Sequence, residues 1–271
     1  MIKARQCLIF AHRGASREAT ENTRSAFDKA LEYAIDGMET DVQLSRDEVA
    51  VLWHDRFLDK LGLPDKRIDD FDYAQLQPMN FAGYFSSASK EGIMTLHAFL
   101  DAYRKRCRLL IEIKNRDWET GSRHEIKVRQ TLDMVGARTS CPQAGGQDAR
   151  APDNDTIMVS SFNLASLIYA QQYRPGFPLI YNLETDQTIV DAQRILTAQP
   201  FLHGLCLPIE SLDDAIVKLL RSQDKCIAVY TCNSDEEIDK ALDLGVDILI
   251  SDVPQKALAI RNEFENRNNH R

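Results

Sequence analysis

Short apolar runs alternate with amphipathic stretches along this chain, and two of the runs carry charge where the rest do not. Cys7-Leu8-Ile9-Phe10-Ala11 is apolar throughout and reads as a first strand, ending in His12-Arg13-Gly14. Glu21-Asn22-Thr23 opens an amphipathic helix to about Tyr33, with Ala26, Phe27, Ala30 and Leu31 on one face. The run Gly37-Met38-Glu39-Thr40-Asp41-Val42-Gln43-Leu44 is different. As a strand it points Met38, Thr40, Val42 and Leu44 one way and Glu39, Asp41 and Gln43 the other. Two carboxylates then lie roughly 7 Å apart on one face, which is costly when buried unless a positive group sits between them. Arg46-Asp47-Glu48 reads as a turn and Val49 to His54 as the returning strand. A turn centred between Arg46 and Asp47 places His54 opposite Glu39; a slip of one residue would move it to the other face.

Residues 55–93 hold Pro64, Pro78, several aspartates and a serine-rich run, and read as loops with a short helix rather than a separate core. After a helix over Thr95–Arg106, the strand Arg108–Lys114 puts Leu109, Ile111 and Ile113 on one face and Leu110, Glu112 and Lys114 on the other. A helix covers 120–135, and the Gly/Pro/polar-rich stretch 136–155 reads as a mobile loop. Strands follow at Ile157–Ser160, Leu179–Tyr181, Gly204–Leu207, Ile227–Tyr230 and Ile248–Ile250, interleaved with helices at about 163–173, 188–198, 211–222, 234–243 and 254–265. Asn266 to Arg271 reads as a frayed tail. Eight βα alternations predict an α/β protein whose single domain, residues 1–271, is a closed (β/α)8 barrel, with 49–54 as an extra antiparallel strand and 55–93 as an insertion.

Composition narrows the function. With 33 Lys+Arg against 41 Asp+Glu the net charge is −8, which disfavours a nucleic-acid or anionic-membrane binder but leaves room for a local basic pocket. No run reaches transmembrane length, and the apolar part of the N-terminus is too short for a signal peptide. The six cysteines lack Cys-x-x-Cys spacing and read as reduced core residues of a cytoplasmic protein.

In such barrels working groups sit at the C-terminal ends of strands and in the loops that follow. That rule collects His12, Arg13, Glu39, Asp41, Glu112 and Lys114 on one face, with His54 joining through its hairpin. Three carboxylates without a thiolate suit a hard cation, Mg²⁺ or Ca²⁺. Arg13 and Lys114 suit a phosphate, and two imidazoles suit proton transfer near neutral pH. Together these describe metal-assisted phosphoester cleavage.

These residues resemble the glycerophosphodiester phosphodiesterase family. His12-Arg13-Gly14, Glu21-Asn22-Thr23, Glu39-x-Asp41, His54-Asp55, Glu112-x-Lys114, Ser160-Ser161-Phe162, Tyr230-Thr231-x-Asn233 and Gly245-Val246-Asp247 through Ser251-Asp252 fall in the family's order over nearly the whole chain. The resemblance implies a TIM barrel with a small insertion after the second strand, lying over the pocket mouth. It implies hydrolysis of glycerophosphodiesters to glycerol 3-phosphate and an alcohol. Glu39, Asp41 and Glu112 match metal ligands, and His12 and His54 match the general acid/base pair. Arg13 and Lys114 match groups around the phosphate, and Glu21 and Asn22 match polar residues lining the same pocket. The partner implied is a small-molecule diester, with no nucleic acid and no stable membrane anchor; a homodimer is left open. Four positions depart from the family: Thr20, Arg46-Asp47-Glu48 without the usual turn glycine, Leu58-Asp59-Lys60-Leu61-Gly62, and Met94. None touches the metal or proton-transfer positions. Two rival readings are a lysophospholipase D, for which Phe71, Tyr73, Phe81, Tyr84 and Phe85 could supply an apolar surface, and a non-catalytic phosphate-binding barrel. Ser161 lacks the Gly-x-Ser-x-Gly elbow of a nucleophile.

Overall fold

The apolar runs pair side by side in nearly their order along the chain. The structure, a computed structural model, describes residues 6–85, 89–136 and 157–269. Its strands are β1 (Leu8–His12), β2 (Gly37–Leu44), β3 (Ala50–Leu52), β4 (Arg108–Ile113), β5 (Ile157–Ser161), β6 (Leu179–Asn182), β7 (Gly204–Pro208), β8 (Cys226–Tyr230) and β9 (Ile248–Ser251). β1 bonds to β2 on one side and β9 on the other, so β1, β2 and β4 to β9 close into a parallel eight-stranded barrel. β3 is the extra antiparallel strand. The first residues of β2 pair with β1 and its last three pair with β3. The hairpin therefore projects past the C-terminal rim, where loops build the site.

Around the barrel run α1 (Arg24–Leu31), α2 (Tyr73–Leu76, within the insertion), α3 (Leu96–Tyr103), α4 (Gly121–Gly136), α5 (Leu164–Tyr173), α6 (Ile189–Ala198), α7 (Asp214–Ser222), α8 (Asp235–Asp243) and α9 (Pro254–Asn269). Helix starts follow their caps. Thr23, Thr95, Asn163, Asp213 and Ser234 each accept a backbone N–H three residues on, worth about 0.5–2 kcal/mol apiece. Strand alternation sorts side chains into two layers. Met38, Val42, Leu109, Ile111 and Ile113 point outward into the core shared with helix residues such as Phe27, Phe99 and Leu132. Phe10, Leu110, Met158, Ile180, Cys206 and Ala228 fill the barrel interior. Phe10 fits because β2 begins with Gly37; a Cβ there would lie 2.4 Å from its ring.

Three expectations need correcting, and one lies beyond the described residues. The hairpin register is shifted by one: Val42 pairs with Leu52 and Leu44 with Ala50. The turn is a three-residue loop closed by the Ser45 N–H on the Val49 carbonyl, with Glu48 at φ 65°, the left-handed position where glycine is usual. A regular strand would then carry His54 outward, but pairing stops at Leu52. Trp53 turns into the insertion, edge-on to Phe81, and His54 reaches the cavity beyond the strand end. Second, the insertion builds a small apolar cluster apart from the barrel core, in which Leu58, Ile68, Leu76, Phe81 and Ile93 pack with Val51 and Trp53 of the hairpin. Phe71, Tyr73 and Tyr84 pack against it. Third, Asn266 to Asn269 continue α9 instead of fraying. Of the 136–155 loop, Gly136 ends α4 and the rest lies outside the described residues, as does Cys141. No disulfide joins the described cysteines. No described helix is long and apolar enough to cross a membrane.

Candidate active site

The end of β1 sets the first half of the site. After His12 the chain enters left-handed backbone at Arg13 (φ 58°) and Gly14 (φ 86°). Gly14 is required here, since a Cβ would lie 2.5 Å from the Ala26 backbone. The turn directs Arg13 inward, with Nε 3.0 Å from Asp41 Oδ2 and Nη1 2.7 Å from Glu21 Oε2. Glu39 and Asp41 enter from β2, and Glu112 enters from β4, which pairs with β2 so that Asp41 and Glu112 are direct neighbours. The three carboxylates, all buried, offer oxygens within 4.8 Å of one another. Lys114 Nζ lies 3.1 Å from Asp41 Oδ1 and 2.7 Å from Glu112 Oε1.

Charge and burial divide the acids. Asp41 is held well below the usual carboxylate range: burial alone would raise it, but Lys114 and Arg13 prevail, and Asn22 donates to it at 3.0 Å. Glu39 is pushed well above that range by burial and by the neighbouring Asp41 charge. Glu39 Oε2 has no hydrogen-bond partner among the described residues, and His12 Nε2 lies 3.8 Å from it. Three carboxylates thus face two cations, Arg13 and Lys114. A buried, orphaned acceptor, an excess negative charge and an all-oxygen donor set fit a hard divalent cation.

Each histidine is backed by an aspartate. His12 Nδ1 lies 2.6 Å from Asp252 Oδ1. Asp252 is itself fixed by Ser16 Oγ at 3.0 Å and Asn233 Nδ2 at 2.8 Å. Burial, with the adjacent Arg13, pushes His12 below the usual imidazole value against the pull of Asp252. His54 Nδ1 lies 2.8 Å from Asp55 Oδ1. Lys60 bridges Asp55 Oδ2 at 2.8 Å and Glu21 Oε1 at 2.6 Å. A chain of contacts therefore runs from His54 through Asp55, Lys60, Glu21 and Arg13 to Asp41.

His12, Arg13, Glu39, His54, Glu112 and Lys114 line one cavity of about 190 Å³ at the barrel mouth, closed by Ser160, Phe162, Asn182, Cys206 and Tyr230 among others. Glu21 and Asn22 stand one layer behind this wall, holding Arg13 and Asp41, whereas the resemblance implied that they line the pocket. Sequence reading assigned no role to Asp252, Asp55 or Lys60. The two aspartates had a signal: one follows the last strand and the other follows a histidine. Lys60 had none, because only the fold of the insertion brings it to Glu21. The apolar part of the wall, Leu110, Cys206 and Ile250, comes from barrel interior positions.

Fold and site together define a (β/α)8 barrel enzyme with three buried carboxylates clustered beside two carboxylate-backed imidazoles at the C-terminal face. A family profile described as "Glycerophosphoryl diester phosphodiesterase family" matches residues 12–256, and the chain belongs to that family. A glycerophosphodiester phosphodiesterase of Bacillus altitudinis is 26% identical over 95% of this chain and 99% of its own length. One from Bacillus subtilis is 24% identical over 94% and 86%. Among solved structures, an Oleispira antarctica phosphodiesterase in complex with the product sn-glycerol-3-phosphate superposes with a TM-score of 0.78 at 24% identity, covering 94% of this chain and 96% of that one. A Thermotoga maritima glycerophosphodiester phosphodiesterase gives 0.70 at 23% identity, covering 94% and 98%.

Proposed function

We propose that the protein hydrolyses glycerophosphodiesters to glycerol 3-phosphate and an alcohol in a metal-dependent reaction, with His12 and His54 as the proton-transfer pair. The observation that carries this reading is the meeting of Glu39, Asp41 and Glu112 within 4.8 Å, at the wall of a cavity that Glu39, Glu112 and both imidazoles line. These three acids would hold the cation, Mg²⁺ or Ca²⁺. When bound, it supplies positive charge to the phosphate oxygens and Lewis acidity at phosphorus.

The chain's own groups do the rest. Arg13 and Lys114 add fixed positive charge at the cavity wall. His12 donates its Nδ1–H to Asp252, which leaves Nε2 with a lone pair, and its lowered proton affinity keeps that nitrogen free at neutral pH. It takes the proton of the attacking oxygen. His54, oriented by Asp55, protonates the oxygen of the departing alcohol as its bond to phosphorus breaks. Water is the overall co-substrate. The insertion is tied to the site through Lys60, which bridges Asp55 and Glu21. Phe81 belongs to the insertion's apolar cluster and Phe71, Tyr73 and Tyr84 pack against it, and the exposed large apolar side chains among the described residues, Tyr173, Ile189 and Val190, lie elsewhere. That favours a small water-soluble diester over a lipid-bearing one.

The test is release of glycerol 3-phosphate from glycerophosphodiesters with and without chelator, on the wild type and His54→Ala. Turnover lost to chelator and restored by Mg²⁺ or Ca²⁺ is expected, with the variant slower by about 10²–10⁴-fold. Near-full turnover of His54→Ala at saturating metal would overturn the assignment.

A further inference from the structure

A diester has two limbs, and the site has two chambers. Beside the first cavity lies a second of about 290 Å³, lined by His54, Glu112, Lys114, Asn115, Arg116, Phe162 and Glu184 among others. The chambers share His54, Glu112, Lys114 and Phe162, whereas His12, Arg13 and Glu39 line only the first. His54 is thus the imidazole at the junction. If it protonates the departing oxygen, that oxygen sits at the junction and the rest of the alcohol occupies the second chamber.

The second chamber carries two charges of opposite sign that do not neutralise each other. Glu184 follows β6, and among the described residues its carboxylate has no ion-pair or hydrogen-bond partner. Arg116 follows β4, and its guanidinium has no carboxylate partner among the described residues. Its Nη2 donates to the His54 carbonyl, and its face lies over Trp118 at 5.9 Å. Phe162, edge-on to Tyr230 at 5.9 Å, supplies an apolar part of the chamber's lining. Lys114 and Glu112, the other charged groups of the chamber, already contact each other at 2.7 Å. An unpaired carboxylate and an unpaired guanidinium in one chamber complement a ligand that carries an ammonium and a carboxylate together. A purely cationic headgroup meets Arg116 unmatched, a purely anionic one meets Glu184 unmatched, and a neutral polyol satisfies neither charge.

Building on the phosphodiesterase reading above, we propose that the second chamber is the leaving-group subsite and that it selects a zwitterionic amino-acid alcohol of the serine type. Arg116 binds the carboxylate and Glu184 the ammonium. Both act as specificity-determining residues. The tie from Arg116 to the His54 carbonyl makes the group that reads the headgroup also steady the backbone of the acid that releases it.

The experiment compares kcat/KM for glycerophosphodiesters bearing serine, ethanolamine, choline and glycerol, on the wild type and on Arg116→Met and Glu184→Gln. The expected wild-type order places the serine diester first, by about tenfold over choline. Arg116→Met lowers the serine-to-ethanolamine ratio by about tenfold, and Glu184→Gln lowers the ethanolamine-to-glycerol ratio by a comparable factor. Glu184 is exposed, so its variant folds and keeps the test decisive if Arg116→Met does not. Equal rates on all four diesters, or variants that scale every substrate alike, would overturn the subsite while leaving the phosphodiesterase reading intact. No glycerol 3-phosphate from any diester would instead overturn the parent reading.

Discussion

Asp252→Asn tests whether His12 acts as a base through a fixed tautomer. Asn233 has its orientation set, because its Oδ1 accepts the Asp252 backbone N–H at 2.9 Å, so its Nδ2 must face position 252 as a donor. In the wild type both Asp252 oxygens accept: one from Asn233, the other from His12 Nδ1–H and Ser16. An asparagine can satisfy Asn233 only by turning its carbonyl toward it. Its amide N–H2 then points at His12 Nδ1, which must become an acceptor. The imidazole proton moves to Nε2, the lone pair facing the cavity disappears, and the base is lost with little change in shape. Burial and Arg13 already disfavour the imidazolium, and the Asp252 charge that counters them is removed as well. Asparagine substitution at an aspartate backing a catalytic histidine carries a cost of up to about 10⁴-fold, so we expect kcat to fall by about 10²–10⁴, a barrier increase of about 2.7–5.5 kcal/mol. Initial-rate release of glycerol 3-phosphate measures the fall, and nitrogen NMR of His12 reads the tautomer. A variant that folds normally and stays within about fivefold of wild type refutes the reasoning.

Three other outcomes follow from the geometry. Glu119→Leu strips the partner from the fully buried Lys127, whose Nζ lies 2.8 Å from both Glu119 oxygens and donates to the Lys114 carbonyl; urea unfolding should show a loss of about 3–5 kcal/mol. A loss under about 1 kcal/mol would mean the pair does not brace the end of β4. Gly14→Ala places a methyl group 2.5 Å from the Ala26 backbone at φ 86°, and should cost about 1–3 kcal/mol in the same assay; an unchanged midpoint would contradict it. Asp252 and Asp55 are both held below the ordinary carboxylate range despite burial, by His12 and Asn233 in one case and by His54 and Lys60 in the other. Their folded values lie below the unfolded value of about 3.9, so their stabilisation is complete above about pH 5 and drains away as pH falls through the folded values. Urea midpoints measured from pH 6 to pH 3 should fall, and fall less steeply in His12→Ala; parallel curves would be the contrary result.

The barrel was legible in the chain because its signal is local and repeated. Each strand is a short apolar run, most helices open on a side-chain cap, and inward and outward faces follow from a period of two. The pairing of Glu39, Asp41 and Glu112 was legible for the same reason, since parallel neighbours expose equivalent positions on one face. The register of the hairpin was not, because it turned on one residue, Glu48, accepting a backbone conformation that its side chain does not favour. Nor was the insertion's apolar cluster, whose residues are scattered without a period. The Lys60 bridge and the approach of Asp252 to His12 join positions 39 and 240 residues apart, and no local pattern encodes such a distance. Sequence periodicity alone determined which residues point toward the barrel axis. Only closure of the barrel and folding of the insertion decided which of them touch, because contact between remote segments depends on how the whole chain packs.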